Sequence, residues 1–96
     1  MSNKIINTND APAAIGPYSQ AVLNNQMIFT SGQLGINPNN GLLVSENIEE
    51  QTHQVIHNIK NILSEADCQL NDVVKTTVFV TNLNDFSTIN KIYEEY

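Results

Sequence analysis

Four residues best suit a ligand-binding site by their type and position: Tyr18, Ser31, Gly32 and Asn90. Tyr18 directly follows Gly16-Pro17, which predicts a turn or an extended loop because the residue before proline avoids the helical region. Ser31 and Gly32 come at the end of a strand-like run, and Asn90 lies on a predicted helix, one residue beyond an apolar position. Scaffolds commonly present functional groups at such places. The same residues also fit a plainer interpretation as a packed tyrosine, a turn glycine and an exposed asparagine.

His53 and His57 lie four residues apart, a spacing that places both imidazoles on one helical face and can hold zinc. The pair resembles the H-E-x-x-H motif of metalloproteases. Gln54 stands where that motif has its catalytic glutamate, and an amide cannot take a proton from water at neutral pH. Because the spacing suggests no third ligand, we interpret the pair as part of a solvated helix face and expect no metal.

Three other features do not support a nucleotide-binding loop, an acid/base pair or a reactive thiol. Gly32-Gln33-Leu34-Gly35 lacks the Gly-Lys-Ser/Thr of a phosphate-binding loop and the third glycine of a dinucleotide fingerprint. Glu49-Glu50 and Glu94-Glu95 are adjacent pairs, whose side chains point apart on a helix and form no acid/base dyad. Cys68 has acidic and amide neighbours rather than a cation that would activate a thiol, so we interpret it as a small structural residue.

The composition narrows the class of protein. Ninety-six residues make a single domain, residues 1–96, and 41% apolar with 15% charged residues is a globular composition. No apolar run approaches the roughly 18 residues of a membrane helix, and the polar first ten residues do not resemble a signal peptide. A net charge of −6 with four scattered lysines and no arginine argues against nucleic-acid binding. One cysteine fits a reducing, cytoplasmic location.

The first half of the chain predicts short strands at residues 4–7, 21–23 and 27–31, and a short apolar patch at residues 42–44. Asn24-Asn25-Gln26 predicts a tight hairpin loop because asparagine accepts positive φ. The strand at residues 27–31 runs into Gly32, and a glycine at a strand end often marks the close approach of another backbone or of a ligand.

A helix that begins after Asn47 is the clearest predicted element. Asn47 can cap it, with Glu50 as the returning partner of a capping box. Spacings of three, four and seven place one apolar stripe on it, formed by Ile48, Val55, Ile56, Ile59, Ile62, Leu63 and Ala66. The opposite face is predicted to hold Glu49, His53, Gln54, Asn58, Lys60, Asn61 and Glu65.

The last quarter of the chain predicts one strand and one helix. Residues 73–80 are rich in β-branched side chains and predict a strand. Asn84 or Asp85 can cap a helix from Phe86 onward, whose apolar stripe would also contain Ile89, Tyr93 and Tyr96. The order of elements predicts an α+β fold, a sheet with two helices packed on one face. An uncapped last helix and an open edge beside residues 73–80 lead us to expect a longer gene product.

These segments together resemble the Rid/YjgF family, in register along nearly the whole chain. No single short motif carries the likeness. The matching segments are AAIGPYSQA at residues 13–21, TSGQ at 30–33, the helical residues 51–63, VKTTVFV at 74–80, LNDF at 83–86 and INKIYE at 89–94.

The resemblance implies a chorismate-mutase-like α+β fold with a mixed sheet, three subunits around a threefold axis, and ligand sites in clefts between neighbouring subunits. It implies hydrolysis of 2-imino acids such as 2-iminobutanoate and 2-iminopropanoate to 2-keto acids and ammonia, without cofactor or metal. The residues that match Tyr18, Ser31, Gly32 and Asn90 line the family's pocket. The expected partners are further copies of the chain and a small 2-imino or 2-keto acid, with neither nucleic acid nor membrane.

The sequence departs from the family in its catalytic residues. The family clamps the substrate carboxylate with an arginine and holds the attacking water with a glutamate, both in strands that would lie beyond Tyr96. Residues 1–96 contain no arginine, so no catalytic residue is assigned. Two alternatives to an enzyme stay open: a non-catalytic ligand-binding or regulatory member of the family, and a purely structural trimer-forming module.

Overall fold

The computed structural model describes residues 3–96 and contains two small antiparallel sheets and two α-helices. One sheet has three strands in chain order, and the other is a two-stranded hairpin. The elements are β1 (Lys4–Ile6), β2 (Ala21–Asn24), β3 (Met27–Thr30), β4 (Ile36–Asn37), β5 (Leu42–Leu43), α1 (Ile48–Glu65) and α2 (Phe86–Tyr93). Within residues 3–96, neither helix has the length and apolar character needed to cross a bilayer.

The hairpin of β2 and β3 confirms the predicted loop between them. Ala21 pairs with Thr30 and Asn24 pairs with Met27, which leaves Asn25 and Gln26 as a two-residue turn. Asn25 has a φ of 55°, a left-handed conformation that asparagine accepts at little cost. This register places the residue before β2 opposite the residue after β3, at the end of the sheet where the candidate site lies.

Of the capping box predicted for α1, the bonds to the Asn47 side chain are confirmed and the returning bond from Glu50 is wrong. The side chain of Asn47 accepts hydrogen bonds from the backbone N–H groups of Glu49, at 2.8 Å, and Glu50, at 3.2 Å. The returning bond that we expected from the Glu50 side chain is replaced, because the Asn47 N–H donates to Ser45 Oγ at 3.0 Å. Ser45 satisfies this N–H from the preceding turn, so the Glu50 carboxylate remains exposed.

The core forms where α1 packs on the sheet of β1 and β2. Ile62 on the apolar stripe of α1 is fully buried and packs with Ile6, Ala11 and Ala21. Burying such a side chain contributes roughly 1.5–3 kcal/mol. The stripe also buries Ile56 and Leu63, as predicted. The shorter α2 packs against α1 and buries Ile89 and Ile92.

Asn58 contradicts the predicted polar face of α1, because its side chain is fully buried. Its Nδ2 donates to the carbonyl oxygens of Leu34, at 3.1 Å, and Ile36, at 3.0 Å, and its Oδ1 accepts from Gln54 Nε2 at 2.8 Å. Asn58 lies one helical turn before Ile62 and therefore faces the same side of α1. There it donates to two carbonyl groups beside β4, of which that of Leu34 also accepts from the Ile36 N–H at 2.8 Å.

Residues 73–80 contradict the predicted strand. They form no ladder with any strand among residues 3–96, and Val74 and Phe79 are 89% and 91% exposed. β-Branched side chains favour an extended backbone, but a strand also requires a partner that takes up its N–H and C=O groups. The apolar side chains of this segment therefore remain in contact with solvent.

The start of α2 also differs from the prediction. A 3-10 turn, Leu83–Asp85, precedes the helix, and the Asp85 side chain makes no capping bond. Asn82 caps the turn instead, because its Oδ1 accepts from the N–H of Asn84 at 3.0 Å. The capping residue therefore lies two residues before Asn84 and three before Asp85.

Candidate functional site

Tyr18 is presented at the surface by a bend that requires glycine. Gly16 has a φ of 131°, a conformation that residues with a Cβ rarely adopt, and its carbonyl accepts from the Tyr18 N–H at 2.9 Å. The phenol oxygen accepts a long hydrogen bond, 3.4 Å, from the N–H of Ile15. The side chain is 52% exposed, so its O–H can donate to a ligand that approaches the loop.

Ser31 lies directly after β3 and is bonded to the segment that carries Tyr18. Its N–H donates to the carbonyl of Gln20 at 2.9 Å, and its Oγ donates to the carbonyl of Ser19 at 2.5 Å. The structure thus brings Tyr18 and Ser31 together at one end of the β2–β3 hairpin. Because the hydroxyl hydrogen of Ser31 is used inside the protein, its Oγ can offer a ligand only its lone pairs as acceptors.

Gly32 is exposed, and a Cβ built on it would meet nothing within 4 Å. Gly35 shows the opposite situation, since a Cβ there would lie 2.9 Å from Gln51 Cα and 3.1 Å from Gln51 O. The close approach of another backbone therefore belongs to Gly35, where the chain passes α1. The space beside Gly32 is open, which leaves room for a ligand next to Ser31.

Asn90 is exposed on α2. The helix that carries it packs against α1. Within residues 3–96, no hydrogen bond joins Asn90 to the loop that carries Tyr18 and Ser31. The structure of one chain therefore brings together three of the four residues predicted for the site.

Gln20 is a residue that sequence reasoning missed. It is 2% exposed, and its side chain holds the loop that leads from β1 to Tyr18. Its Oε1 accepts from the Thr8 N–H at 2.7 Å, and its Nε2 donates to the carbonyls of Thr8, Ala11 and Pro12 at 3.0, 3.3 and 2.8 Å. The available signal was its place directly before a strand that opens with a core alanine.

The histidine pair of α1 contacts the end of the chain. His53 Nδ1 lies 2.6 Å from the Tyr96 hydroxyl, and the His57 ring meets the Tyr96 ring edge-on with centroids 6.1 Å apart. His53 Nε2 also lies 3.9 Å from a Glu95 carboxylate oxygen. No group of three or more histidine, cysteine or acidic residues suited to a metal exists in the part of the chain that the structure describes. The pair thus joins α1 to the residues after α2.

The candidate site offers neutral hydrogen-bonding groups rather than charge. Tyr18 can donate, Ser31 Oγ can accept, and the backbone at Gly32 is open to a close contact. Such groups orient a small polar molecule and can accept a hydrogen bond from a protonated nitrogen. The sequence has no arginine, so none of its residues can form a bidentate guanidinium clamp on a carboxylate.

Comparisons with known proteins show which family the chain resembles. The family described as Endoribonuclease L-PSP matches residues 8–96. A 2-iminobutanoate/2-iminopropanoate deaminase of Mus musculus is 50% identical over 93 residues, which is 97% of this chain and 69% of that protein. A Rid-family protein of Yersinia pestis, YyfA, superimposes with a TM-score of 0.97 at 47% identity, over 99% of this chain and 75% of that one. TdcF of E. coli, crystallised with bound serine, gives a TM-score of 0.91 at 43% identity, over 96% of this chain and 72% of that one.

Proposed function

Because the chain belongs to the Rid/YjgF family, which the Endoribonuclease L-PSP description covers, we propose that it hydrolyses 2-imino acids to 2-keto acids and ammonia. The proposed substrates are 2-iminobutanoate and 2-iminopropanoate. The observation that carries the proposal is the 50% identity with a deaminase of that name over 93 residues. The family match over residues 8–96 includes all four residues of the candidate site.

The reaction makes modest demands on a protein. Water adds to the carbon of the C=N bond, a C–O bond forms, and the π electron pair moves to nitrogen, which takes up a proton. The carbinolamine then loses ammonia as the C–N bond breaks and the hydroxyl proton departs, which leaves the C=O of the keto acid. Orientation of the imine and of one water, with proton transfer, can provide the rate enhancement.

We assign a role in this reaction to each group of the site. Ser31 Oγ accepts from the N–H of the iminium, because its own hydrogen is already donated to Ser19. The Tyr18 hydroxyl donates to the substrate carboxylate, which lies in the open space beside Gly32. Neutral donors hold a carboxylate more weakly than a bidentate arginine does, so we expect a high KM for residues 1–96.

We further propose that the chain works as a homotrimer with a chorismate-mutase-like arrangement, and that the site lies between copies. Ile15, Met27 and Phe29, on the Tyr18 loop and β3, are 86%, 54% and 59% exposed, and a neighbouring copy would remove this apolar surface from water. Among residues 3–96, no hydrogen bond joins Asn90 to the Tyr18 loop of its own chain. In the proposed trimer, a neighbouring copy would supply Asn90 to the site. Light scattering should give about three times the 10.7 kDa chain mass, and a monomer at all concentrations would contradict the proposal.

Location and partners complete the proposal. The free Cys68 fits a cytoplasmic protein, because a lone thiol forms no internal disulfide. The net charge of −6 disfavours RNA as a partner, despite the endoribonuclease name of the family.

The specific observation behind the alternative, a non-catalytic binding protein, is the absence of arginine from the sequence. Such a protein would bind a 2-keto acid without accelerating hydrolysis of the imine.

A trapping assay tests the activity. An amino-acid oxidase generates the 2-imino acid in the presence of semicarbazide, which captures the imine as a semicarbazone. The chain should lower the initial rate of semicarbazone formation in proportion to its concentration and release an equivalent of 2-keto acid. Heat-denatured protein and the variant Gly32→Ala are the controls. An unchanged semicarbazone rate, together with binding of 2-oxobutanoate, would favour the non-catalytic alternative.

A further inference from the structure

Gln20 is the most completely bonded buried polar side chain near the candidate site. It is 2% exposed, and its amide makes four hydrogen bonds to the backbone of residues 8–12. One side-chain oxygen meets one N–H, and the two hydrogens of Nε2 are shared among three carbonyl oxygens. A side chain that provides both an acceptor and two donors is required here, and only glutamine has this set at this length.

The main chain of Gln20 is bonded to the other half of the site. Its carbonyl accepts from the Ser31 N–H at 2.9 Å, one step beyond the paired residues of β2 and β3. Ser19, the next residue toward the N-terminus, accepts from Ser31 Oγ. Tyr18 precedes Ser19. A single buried residue is therefore bonded through its side chain to the incoming loop and through its backbone to Ser31.

We propose that Gln20 is a positioning residue for this site. Its amide holds residues 8–12 against the start of β2 and so sets the placement of the Tyr18 hydroxyl relative to Ser31 Oγ. Gln20 itself is buried and does not face a ligand. Its catalytic consequence rests on the proposed imine hydrolysis, whereas its structural consequence does not. A misplacement on the order of 1 Å can reduce a rate by roughly 100-fold.

Two variants separate positioning from stability. Gln20→Met keeps the chain length and volume but removes every hydrogen bond of the amide. Leu63→Ala is the control, because Leu63 is buried on α1 and its loss lowers stability without removing a hydrogen bond of the loop. Gln20→Asn, shorter by one methylene, replaces Gln20→Met should the latter fail to fold. Both variants are compared with the unaltered chain at temperatures where circular dichroism shows them folded.

The first readout is amide hydrogen exchange and does not depend on activity. In Gln20→Met, exchange at the Ser31 amide should rise at least about tenfold relative to the amide of Ile62, although the acceptor of the Ser31 N–H is still present. In Leu63→Ala, the ratio of the two rates should stay unchanged. A uniform increase across both amides in Gln20→Met would overturn the proposal, since it would show only a loss of global stability.

The second readout is kinetic. Gln20→Met should lower kcat at least about tenfold with a smaller change in KM, and Leu63→Ala should leave kcat within about twofold. Equal losses of kcat in the two variants would overturn the positioning role. If the unaltered chain shows no hydrolysis, the proposed function fails, and the exchange ratio at Ser31 alone decides the role of Gln20.

Discussion

Replacing Gly35 by alanine should destabilise this protein, whereas the same replacement at Gly32 should not. A Cβ at position 35 would lie 2.9 Å from Gln51 Cα and 3.0 Å from Gln51 Cβ, whereas carbon atoms prefer separations of about 3.5–4.0 Å. The obstacle is the helical backbone of α1, which cannot rotate away as a side chain can. Overpacking of this kind typically costs about 1–3 kcal/mol.

At Gly32, replacement by alanine should raise the free energy of unfolding instead of lowering it. A Cβ there meets nothing within 4 Å, and the φ of the residue lies outside the left-handed region. Alanine then restricts the unfolded chain and stabilises the fold by about 0.4–1 kcal/mol. If a ligand contacts the backbone at this position, however, the added methyl group occupies its place. We expect Gly32→Ala to lower kcat/KM for the imine at least about tenfold while the fold is unharmed.

Thermal unfolding and the trapping assay measure the two effects separately. For a chain of this size, 1 kcal/mol changes Tm by about 4–8 °C, so an overpacking cost of about 2 kcal/mol at Gly35 predicts a decrease of roughly 8–16 °C. Protein concentration must be equal in all samples, because the Tm of an oligomer depends on it. Two results would refute these expectations: a Tm of Gly35→Ala equal to that of the unaltered chain, or a Tm of Gly32→Ala below that of Gly35→Ala.

Three further predictions concern the fold. Asn58→Leu removes the donor to the Leu34 and Ile36 carbonyls and the acceptor of the Gln54 amide, and it should lower the free energy of unfolding by about 1–3 kcal/mol, measured by urea denaturation. Asn47→Ala removes both capping bonds and should cost about 1 kcal/mol, while Asn47→Asp, which retains an acceptor oxygen, should cost much less in the same titration. Phe79→Lys should change unfolding of this chain by less than about 0.5 kcal/mol because Phe79 is 91% exposed, and a loss above 2 kcal/mol would show that the side chain is packed.

Local signals in the sequence were sufficient for the elements that local interactions form. The cap at Asn47 and the apolar stripe through Ile62 place α1 correctly, and Asn25 marks the hairpin turn. The β-propensity of residues 73–80 was misleading, because pairing depends on a partner strand rather than on the segment itself.

Long-range backbone contacts explain what the sequence could not predict. The polarity of Asn58 predicts exposure to solvent, whereas its burial depends on carbonyl groups of residues 34 and 36, more than 20 positions away. Gln20 is buried for the same kind of reason, since its partners are carbonyls of an irregular loop. For the candidate site, the proximity of Tyr18 and Ser31 follows from the hairpin register. Among residues 3–96, Asn90 makes no hydrogen bond to the loop that carries them.

We propose that a 2-imino acid is bound and hydrolysed beside Ser31 and Gly32. The most direct test is a titration of the isotope-labelled chain with 2-oxobutanoate, the stable product of 2-iminobutanoate hydrolysis, followed by amide chemical shifts. Saturable shifts should concentrate at Tyr18, Ser31 and Gly32, and those at Asn90 should appear only in samples that are oligomeric. Saturable shifts confined to other parts of the molecule, or no saturable shift at all, would contradict the account.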